Sequence, residues 1–287
     1  MKNPPPSVTN HIRRLLLKTI YHAGSGHPGG ALSAVDIIVQ LYFHTMDFDA
    51  SRHDALENDR FILSKGHACA ALYATLALRG LLEREVLKGF RQLNGVLQGH
   101  PHITTPWINA SSGSLGQGVS NAIGIAYGLQ HQHIPARVYC LLGDGECQEG
   151  MIWEAAMFAA HHRLTKLCLI VDYNQLQSDA PVAAIMGIEP LADKWRAFGW
   201  RVHACDGHDG KQLQNTFRAC QSEQQAPSLI IAHTVKGKGI SFMENNPAWH
   251  GALTLSEQDY TASLRELGVT DADMGDYLNS EWWDVSA

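Results

Sequence analysis

Two apolar runs that each close on a small oxygen-bearing side chain constrain this chain more than any other feature. One ends in Leu141-Leu142-Gly143-Asp144-Gly145, the other in Val171-Asp172-Tyr173-Asn174, and thirty positions separate Asp144 from Asn174. Short apolar runs bounded by turn residues read as buried strands. In an open parallel sheet, ligands gather outside the carboxyl ends of the strands, so Asp144 and Asn174 are expected to share one site. A carboxylate and an amide oxygen are hard donors suited to Mg²⁺, which usually keeps few protein ligands and takes phosphate oxygens as well. Gly145 permits a tight turn, and the helix expected after it would offer N-terminal amides to a diphosphate. A strand ending in Gly-Asp-Gly is, alone, more often a plain turn. The order strand, Gly-Asp-Gly, helix, strand, Asn is less ordinary, and Glu149 is expected one turn inside that helix.

The rest of the chain sets those strands in an alternating pattern. A helix is expected over about Thr9–His22, with Ile12, Leu15, Leu16 and Thr19 on one face. Ser25-Gly26-His27-Pro28-Gly29-Gly30 reads as a loop, with Ser33 or Asp36 opening the next helix through Phe43. A strand over Arg60–Ser64 leads into Lys65-Gly66-His67, and a helix over Cys69–Leu78 follows. The stretch Gln92–Ser114 reads as a long irregular crossing, a kind of segment that is usually functional. Gly113-Ser114-Leu115-Gly116-Gln117-Gly118 then opens a helix through about Gln130, where backbone amides can close on a ligand. No strand directly precedes that turn, so it is not the dinucleotide fingerprint. Strands over Arg137–Leu142, Leu167–Val171, Trp200–Ala204 and Ser228–Thr234 alternate with helices over Met151–His161, Leu191–Phe198 and Lys211–Cys220. Such alternation predicts an α/β fold, a parallel sheet covered by helices on both faces. Leu255–Trp283 reads as two short helices. Without repeats, low-complexity segments or linkers, residues 1–287 are expected to form a single domain.

Composition narrows the function. The net charge of −6 argues against nucleic acid and anionic membrane as partners. No stretch is long enough to span a bilayer, and the start Met1-Lys2-Asn3-Pro4-Pro5-Pro6 lacks an apolar signal region. Six cysteines without a CxxC pair read as reduced core thiols of a cytoplasmic protein. Sixteen histidines are the compositional oddity, and His27, His67, His100 and His250 stand beside glycine or proline in expected loops. A lone histidine is usually structural. Four in such loops point instead to proton transfer and hydrogen bonding on an oxygen-rich substrate. No metal spacing such as HExxH, no GxSxG elbow, no GxxxxGK[ST] loop and no kinase set is present.

Taken together, these segments resemble the thiamine-diphosphate-binding half of the transketolase family. Gly143-Asp144-Gly145 through Asn174 is similar to that superfamily's cofactor motif. Ser25–Gly30, Ser64-Lys65-Gly66-His67, Gln98-Gly99-His100-Pro101, Gly113–Gly118 and Trp249-His250-Gly251 are similar to further family segments in the same order, over about His22–Gly251. The pair His27-Pro28 favours transketolases over deoxyxylulose-phosphate synthases. The resemblance implies the thiamine-diphosphate-binding fold of the diphosphate-binding type. It implies Mg²⁺ (with Ca²⁺ or Mn²⁺ as substitutes) on Asp144, Asn174 and the main-chain oxygen of Leu176. Thiamine diphosphate would lie against His67, Gly113, Ser114, Leu115, Gly145, Glu149, Asn174 and His250, with Glu149 matching a glutamate linked to the interface between subunits. His27 and His100 would contact ketose hydroxyls, and His27 and His250 would move protons.

Full-length transketolases continue into a pyrimidine-binding domain and a C-terminal domain, which supply the activating glutamate and the sugar-phosphate-binding residues. The resemblance therefore implies the N-terminal subunit of a split transketolase that joins a C-terminal subunit to form a dimer of heterodimers. Its reaction would move a two-carbon ketol unit from a ketose phosphate to an aldehyde. The sugar stays open, pentose phosphates and branched sugars such as apulose phosphate alike. The corresponding subunit of a thiamine-dependent 2-oxoacid decarboxylase or acyloin-forming ligase is the alternative within the superfamily, and a non-catalytic scaffold the alternative outside it. The end at Trp282-Trp283-Asp284-Val285-Ser286-Ala287, past the last expected helix, is expected to be a natural one.

Overall fold

The computed structural model describes residues 6–251 and 254–279. In chain order the elements are helices α1 (Pro6–Ala23) and α2 (Pro28–Gln40), strand β1 (Arg60–Leu63), helices α3 (Cys69–Leu78) and α4 (Gln117–His131), strand β2 (Val138–Gly143), helix α5 (Gly150–His161) and strand β3 (Leu167–Tyr173). The two-residue strands β4 (Leu176–Gln177) and β5 (Ala180–Pro181), helices α6 (Val182–Ile185) and α7 (Leu191–Ala197), strand β6 (Arg201–Asp206), helix α8 (Gly210–Ser222), strand β7 (Ser228–His233) and helices α9 (Glu257–Glu266) and α10 (Met274–Leu278) complete it. The expected tail helices correspond to α9 and α10, while positions 280–283 of that expectation and the chain end lie outside the described residues.

Five strands form one parallel sheet in the order β1-β2-β3-β7-β6. Successive strand residues point to opposite faces, and both faces here are apolar. Phe61, Leu63, Tyr139, Leu141, Ile170 and Ile230 pack into a core with α1, α2, α3 and α8. Ile62, Val138, Cys140, Leu142, Leu169, Val171 and Ile231 pack into a second core with α4, α5 and α7. Continuous apolar strands thus require helices on both faces, and the doubly covered sheet follows.

Two local expectations need correction. Helix α2 opens directly after His27 with Pro28 at its first position, not at Ser33 or Asp36. Proline suits that position because its φ is already helical and its missing N–H is one the helix leaves unbonded anyway. The glycines that suggested a loop are instead a requirement of close packing. A Cβ on Gly29 would stand 2.7 Å from the Trp249 carbonyl oxygen, and one on Gly30 3.2 Å from His67 Nε2. The second correction concerns Glu149, which lies at the N-cap of α5 with extended backbone rather than one turn inside it. A 3₁₀ turn over Gly145–Gln148 comes first, and it turns Glu146 inward while Glu149 stays exposed.

The carboxyl ends of the strands are tied together by one buried ion pair. Lys65, just past β1, meets Asp172 near the end of β3, and both side chains are almost wholly enclosed. Ser33 Oγ of α2 donates to the same carboxylate at 2.6 Å, and Thr234 Oγ1, just past β7, donates to its other oxygen. Lys65 Nζ also donates to the Gly30 carbonyl at 3.0 Å. Burial alone would push the Asp172 carboxyl up, but Lys65 and the hydroxyl donors outweigh it and hold it below the usual carboxylate range. Its contribution to stability is therefore present above the carboxylate range and fades as pH falls through the depressed value. Lys65→Met leaves a buried, unpaired carboxylate and should cost about 3–5 kcal/mol in urea unfolding at pH 7. Adding Asp172→Asn should recover part of that loss. A single-variant loss below about 1 kcal/mol, the worth of a surface pair, would show that the pair does not hold the strand ends.

Candidate cofactor and substrate site

A cavity of about 240 Å³ opens where Lys65, Asp144 and Asn174 leave β1, β2 and β3. Of the residues expected at a site, His27, His67, Gly113, Leu115, Asp144, Gly145, Asn174, Leu176 and His250 line it together. His100, Ser114 and Glu149 do not form its wall: Ser114 and Glu149 are exposed and His100 stands at the rim. The wall also holds Lys65, Glu146, Gln177 and Lys236, to which sequence reasoning gave no role.

The acidic corner is built by the backbone on either side of the sheet's two central strand ends. Asp144 Oδ1 accepts the Gly145 N–H at 2.7 Å and Oδ2 accepts the Gln175 N–H at 2.5 Å. Gln175 takes a left-handed backbone (φ 63°), which reverses the chain between Asn174 and Leu176. Asn174 Oδ1 accepts the Leu176 N–H at 3.1 Å, and the Leu176 carbonyl oxygen faces Lys236 Nζ at 3.4 Å. Burial, and then the neighbouring Asp172 carboxylate, push the Asp144 carboxyl up to about 6. Asp144 has no ion-pair partner among the described residues. A buried acid without a cation, beside an amide oxygen and a carbonyl oxygen, is a donor set that fits a hard divalent cation. Among the described residues no group of three His, Cys, Asp or Glu side chains is arranged for a metal, so this donor set depends on its amide and main-chain oxygens.

The same cavity holds a triangle of imidazoles. Ring centroids lie 5.5 Å apart for His27–His67 and for His67–His250, and 6.0 Å apart for His27–His250. Burial lowers the His27 pKa to about 4, helped by the charge of Arg91, and that of His250 to about 4, helped by Lys236. Burial and Lys65 hold His67 well below its ordinary value. All three are therefore neutral at pH 7, each with one acceptor and one donor ring nitrogen. Lys236 Nζ stands 2.9 Å from His250 Nδ1, so the ammonium donates there and Nε2 carries the proton. Burial, with Lys65 nearby, brings Lys236 itself down to about 8.

The segment carrying His100 is fixed by Tyr73, whose Oη lies within donating reach of the carbonyls of Gln98 (3.2 Å) and His100 (3.1 Å). The His100 ring lies over two glycines, since a Cβ on Gly66 or Gly113 would stand 3.2 Å or 3.6 Å from it. Glu146 acts from behind the wall. It accepts from Ser64 Oγ, from the Gly116 N–H at 2.8 Å and from the Gly143 N–H at 3.0 Å, and so ties the Gly113–Gly118 turn to the ends of β1 and β2. Burial raises its pKa despite those donors. Its only signal in the sequence is its place after Gly-Asp-Gly, which does not distinguish it from Glu149. Lys65 and Lys236 had a weak signal, each a lysine beside a glycine just past an apolar strand.

The arrangement has counterparts among known proteins. Residues 6–275 match the family described as transketolase, thiamine diphosphate binding domain. The chain is 43% identical over 259 residues to the 6-deoxy-6-sulfo-D-fructose transketolase subunit of Clostridium sp. (strain MSTE9), covering 90% of this chain and 94% of that one. It is 38% identical over 255 residues to an apulose-4-phosphate transketolase subunit of Phocaeicola vulgatus, covering 89% of this chain and 90% of that one. The crystal structure of transketolase from Campylobacter jejuni superposes with a TM-score of 0.86 at 33% identity, over 92% of this chain but only 42% of that one. The chain thus spans about two-fifths of that transketolase's length while matching the two subunits nearly end to end. By sequence, sheet order and the residues brought to the cavity, the chain belongs to the transketolase family, as its thiamine-diphosphate-binding part.

Proposed function

We propose that this chain is the thiamine-diphosphate-binding subunit of a two-chain transketolase, a single domain that transfers a two-carbon ketol unit from a ketose phosphate to an aldehyde. The single observation that carries this reading is one cavity wall with two chemistries: a cation-ready oxygen corner at Asp144, Asn174 and Leu176, and a triangle of neutral imidazoles. The near end-to-end match to two transketolase subunits favours ketol transfer over decarboxylation, and favours a partner chain over a self-sufficient one. The proposed partner is a C-terminal subunit with pyrimidine-binding and C-terminal domains, the whole being a dimer of heterodimers. No helix among the described residues is long and apolar enough to cross a membrane, which fits work in the cytoplasm.

Thiamine diphosphate, when bound, supplies a nucleophilic carbon able to accept a ketol fragment and hand it to an aldehyde. Asp144, Asn174 and the Leu176 oxygen would hold Mg²⁺, which neutralises the diphosphate. Lys236, on the same wall, stands where a diphosphate would meet positive charge. His67, Gly113 and Leu115, which line the cavity, would flank the cofactor, with Ser114 outside the wall between the last two. His27 and His100 would hold ketose hydroxyls, and His27 and His250, neutral at pH 7, would accept and return protons there. Glu149, exposed at the start of α5, is assigned to contact between subunits rather than to the cofactor.

Three measurements test this reading. Reconstitution with the C-terminal subunit should produce ketol transfer from a ketose phosphate to an aldehyde, monitored by product formation, while this chain alone should produce none. Ketol transfer by the purified single chain would overturn the two-chain assignment. Asp144→Ala should abolish Mg²⁺-dependent thiamine diphosphate binding to the assembled complex in calorimetry, and unchanged affinity would remove Asp144 from the metal site. His27→Ala should lower kcat by about 10²–10⁴-fold, the span of general acid–base assistance, with cofactor affinity preserved. An unaltered kcat would remove His27 from proton transfer.

A further inference from the structure

Among the described residues near the cavity, the cation of Arg91 has no task in that chemistry. Arg91 lies in the irregular segment before α4, in a left-handed backbone conformation (φ 56°) that a long side chain rarely adopts. Its N–H donates to the Leu97 carbonyl at 2.8 Å, which closes the loop between them. The side chain then lies across Gly99. A Cβ there would stand 2.7 Å from Arg91 Nη1, 3.3 Å from Cζ and 3.6 Å from Cγ, so a side chain at 99 would push the guanidinium out of this position. The next residue is His100, on the cavity rim.

Arg91 is half-buried, yet its guanidinium has no hydrogen bond or ion pair among the described residues. Its charge reaches inward. It contributes, after burial, to holding both His27 and His100 below the ordinary imidazole value. The other groups that press on His27 are His100 and Lys236, so no carboxylate among them neutralises Arg91 on this side of the rim. An ordinary solvated arginine needs neither a strained backbone nor a glycine cut out beneath it. A planar fork of donors held in place without an acceptor is suited to ligand oxygen.

We propose that Arg91 is a substrate-selecting residue at the mouth of the cavity, its guanidinium donating to oxygen atoms of the sugar substrate beyond those met by His27 and His100. This rests on the ketol-transfer reading of the site. The oxygen belongs either to a chain hydroxyl or to the phosphate, chemistries that share acceptor geometry. Arg91 is not assigned to any covalent step.

The test compares Arg91→Met and Arg91→Lys in two settings. In the reconstituted two-chain enzyme, Arg91→Met should raise KM for the ketose phosphate about 10- to 100-fold, as loss of a charged hydrogen bond does, with kcat and the affinity between the two chains unchanged. Running the unphosphorylated ketose in parallel assigns the oxygen: equal losses on both donors identify a hydroxyl, and a loss confined to the phosphorylated donor identifies the phosphate. Unchanged KM overturns the proposal, as does weakened association of the two chains with KM intact, which would make Arg91 a partner for an acid of the other chain. In this chain alone, NMR titration should show the His27 and His100 midpoints moving upward in Arg91→Met and staying in place in Arg91→Lys. Unmoved midpoints in Arg91→Met refute the inward-facing guanidinium whatever becomes of the ketol-transfer reading. Failure of the wild-type pair to transfer ketol, with midpoints moving as expected, would refute that reading instead.

Discussion

Everything that faces the cavity is referenced to the buried contact between Lys65 and Asp172. Removing two charges from water is costly, and attraction offsets that cost only when the remaining valences are also satisfied. Here they are, through Ser33, Thr234 and the Gly30 carbonyl. These partners come from α2 and from the ends of β1, β3 and β7, so a single ion pair sets the relative position of four segments that carry site residues. His67 lies two residues past Lys65, Asn174 two past Asp172 and Lys236 two past Thr234. His27 directly precedes the helix that carries Ser33. Replacing the pair by apolar residues would keep a core but lose the directional contacts that place those side chains.

The same pair shapes the electrostatics. With Asp172 matched by Lys65, Asp144 and Lys236 are among the cavity-lining charges left without an ion-pair partner among the described residues. Burial shifts each toward its neutral form, and Asp172 repels Asp144 as Lys65 repels Lys236. A divalent cation beside Asp144 and a diphosphate beside Lys236 would relieve both shifts at once.

Legibility in the sequence followed how local the physics was. β3, β7, α3 and α5 were readable because apolar period and bounding turns sit within each segment. Asp144 and Asn174 were readable because strand ends in a parallel sheet converge by topology alone. The start of α2 was not, since Gly29 and Gly30 look like breakers until Trp249 and His67, distant in sequence, are seen packed against them. Glu149 was expected one turn inside α5, and Glu146 was not singled out, for a similar reason. A 3₁₀ turn instead of a helix rotates the residues between them differently, and nothing in Gly145–Glu149 announces that choice. The small ribbon of β4 and β5 was also invisible, its two-residue strands being too short to carry a period.

The neutral imidazoles show why the site needs both its lysines and its burial. At pH 7 an exposed histidine is mostly neutral but readily protonated, which suits neither sustained acceptance of a proton nor a fixed tautomer. Burial removes the charged form of His27, His67 and His250, and neighbouring cations push in the same direction. Lys236 adds orientation, because donation to His250 Nδ1 leaves the proton on Nε2. A ligand phosphate that drew Lys236 away would free Nδ1 and raise the basicity of His250. Occupancy by an anion and the proton affinity of His250 would therefore be linked through one ammonium group, and the imidazole that Lys236 orients would become more basic with the anion in place.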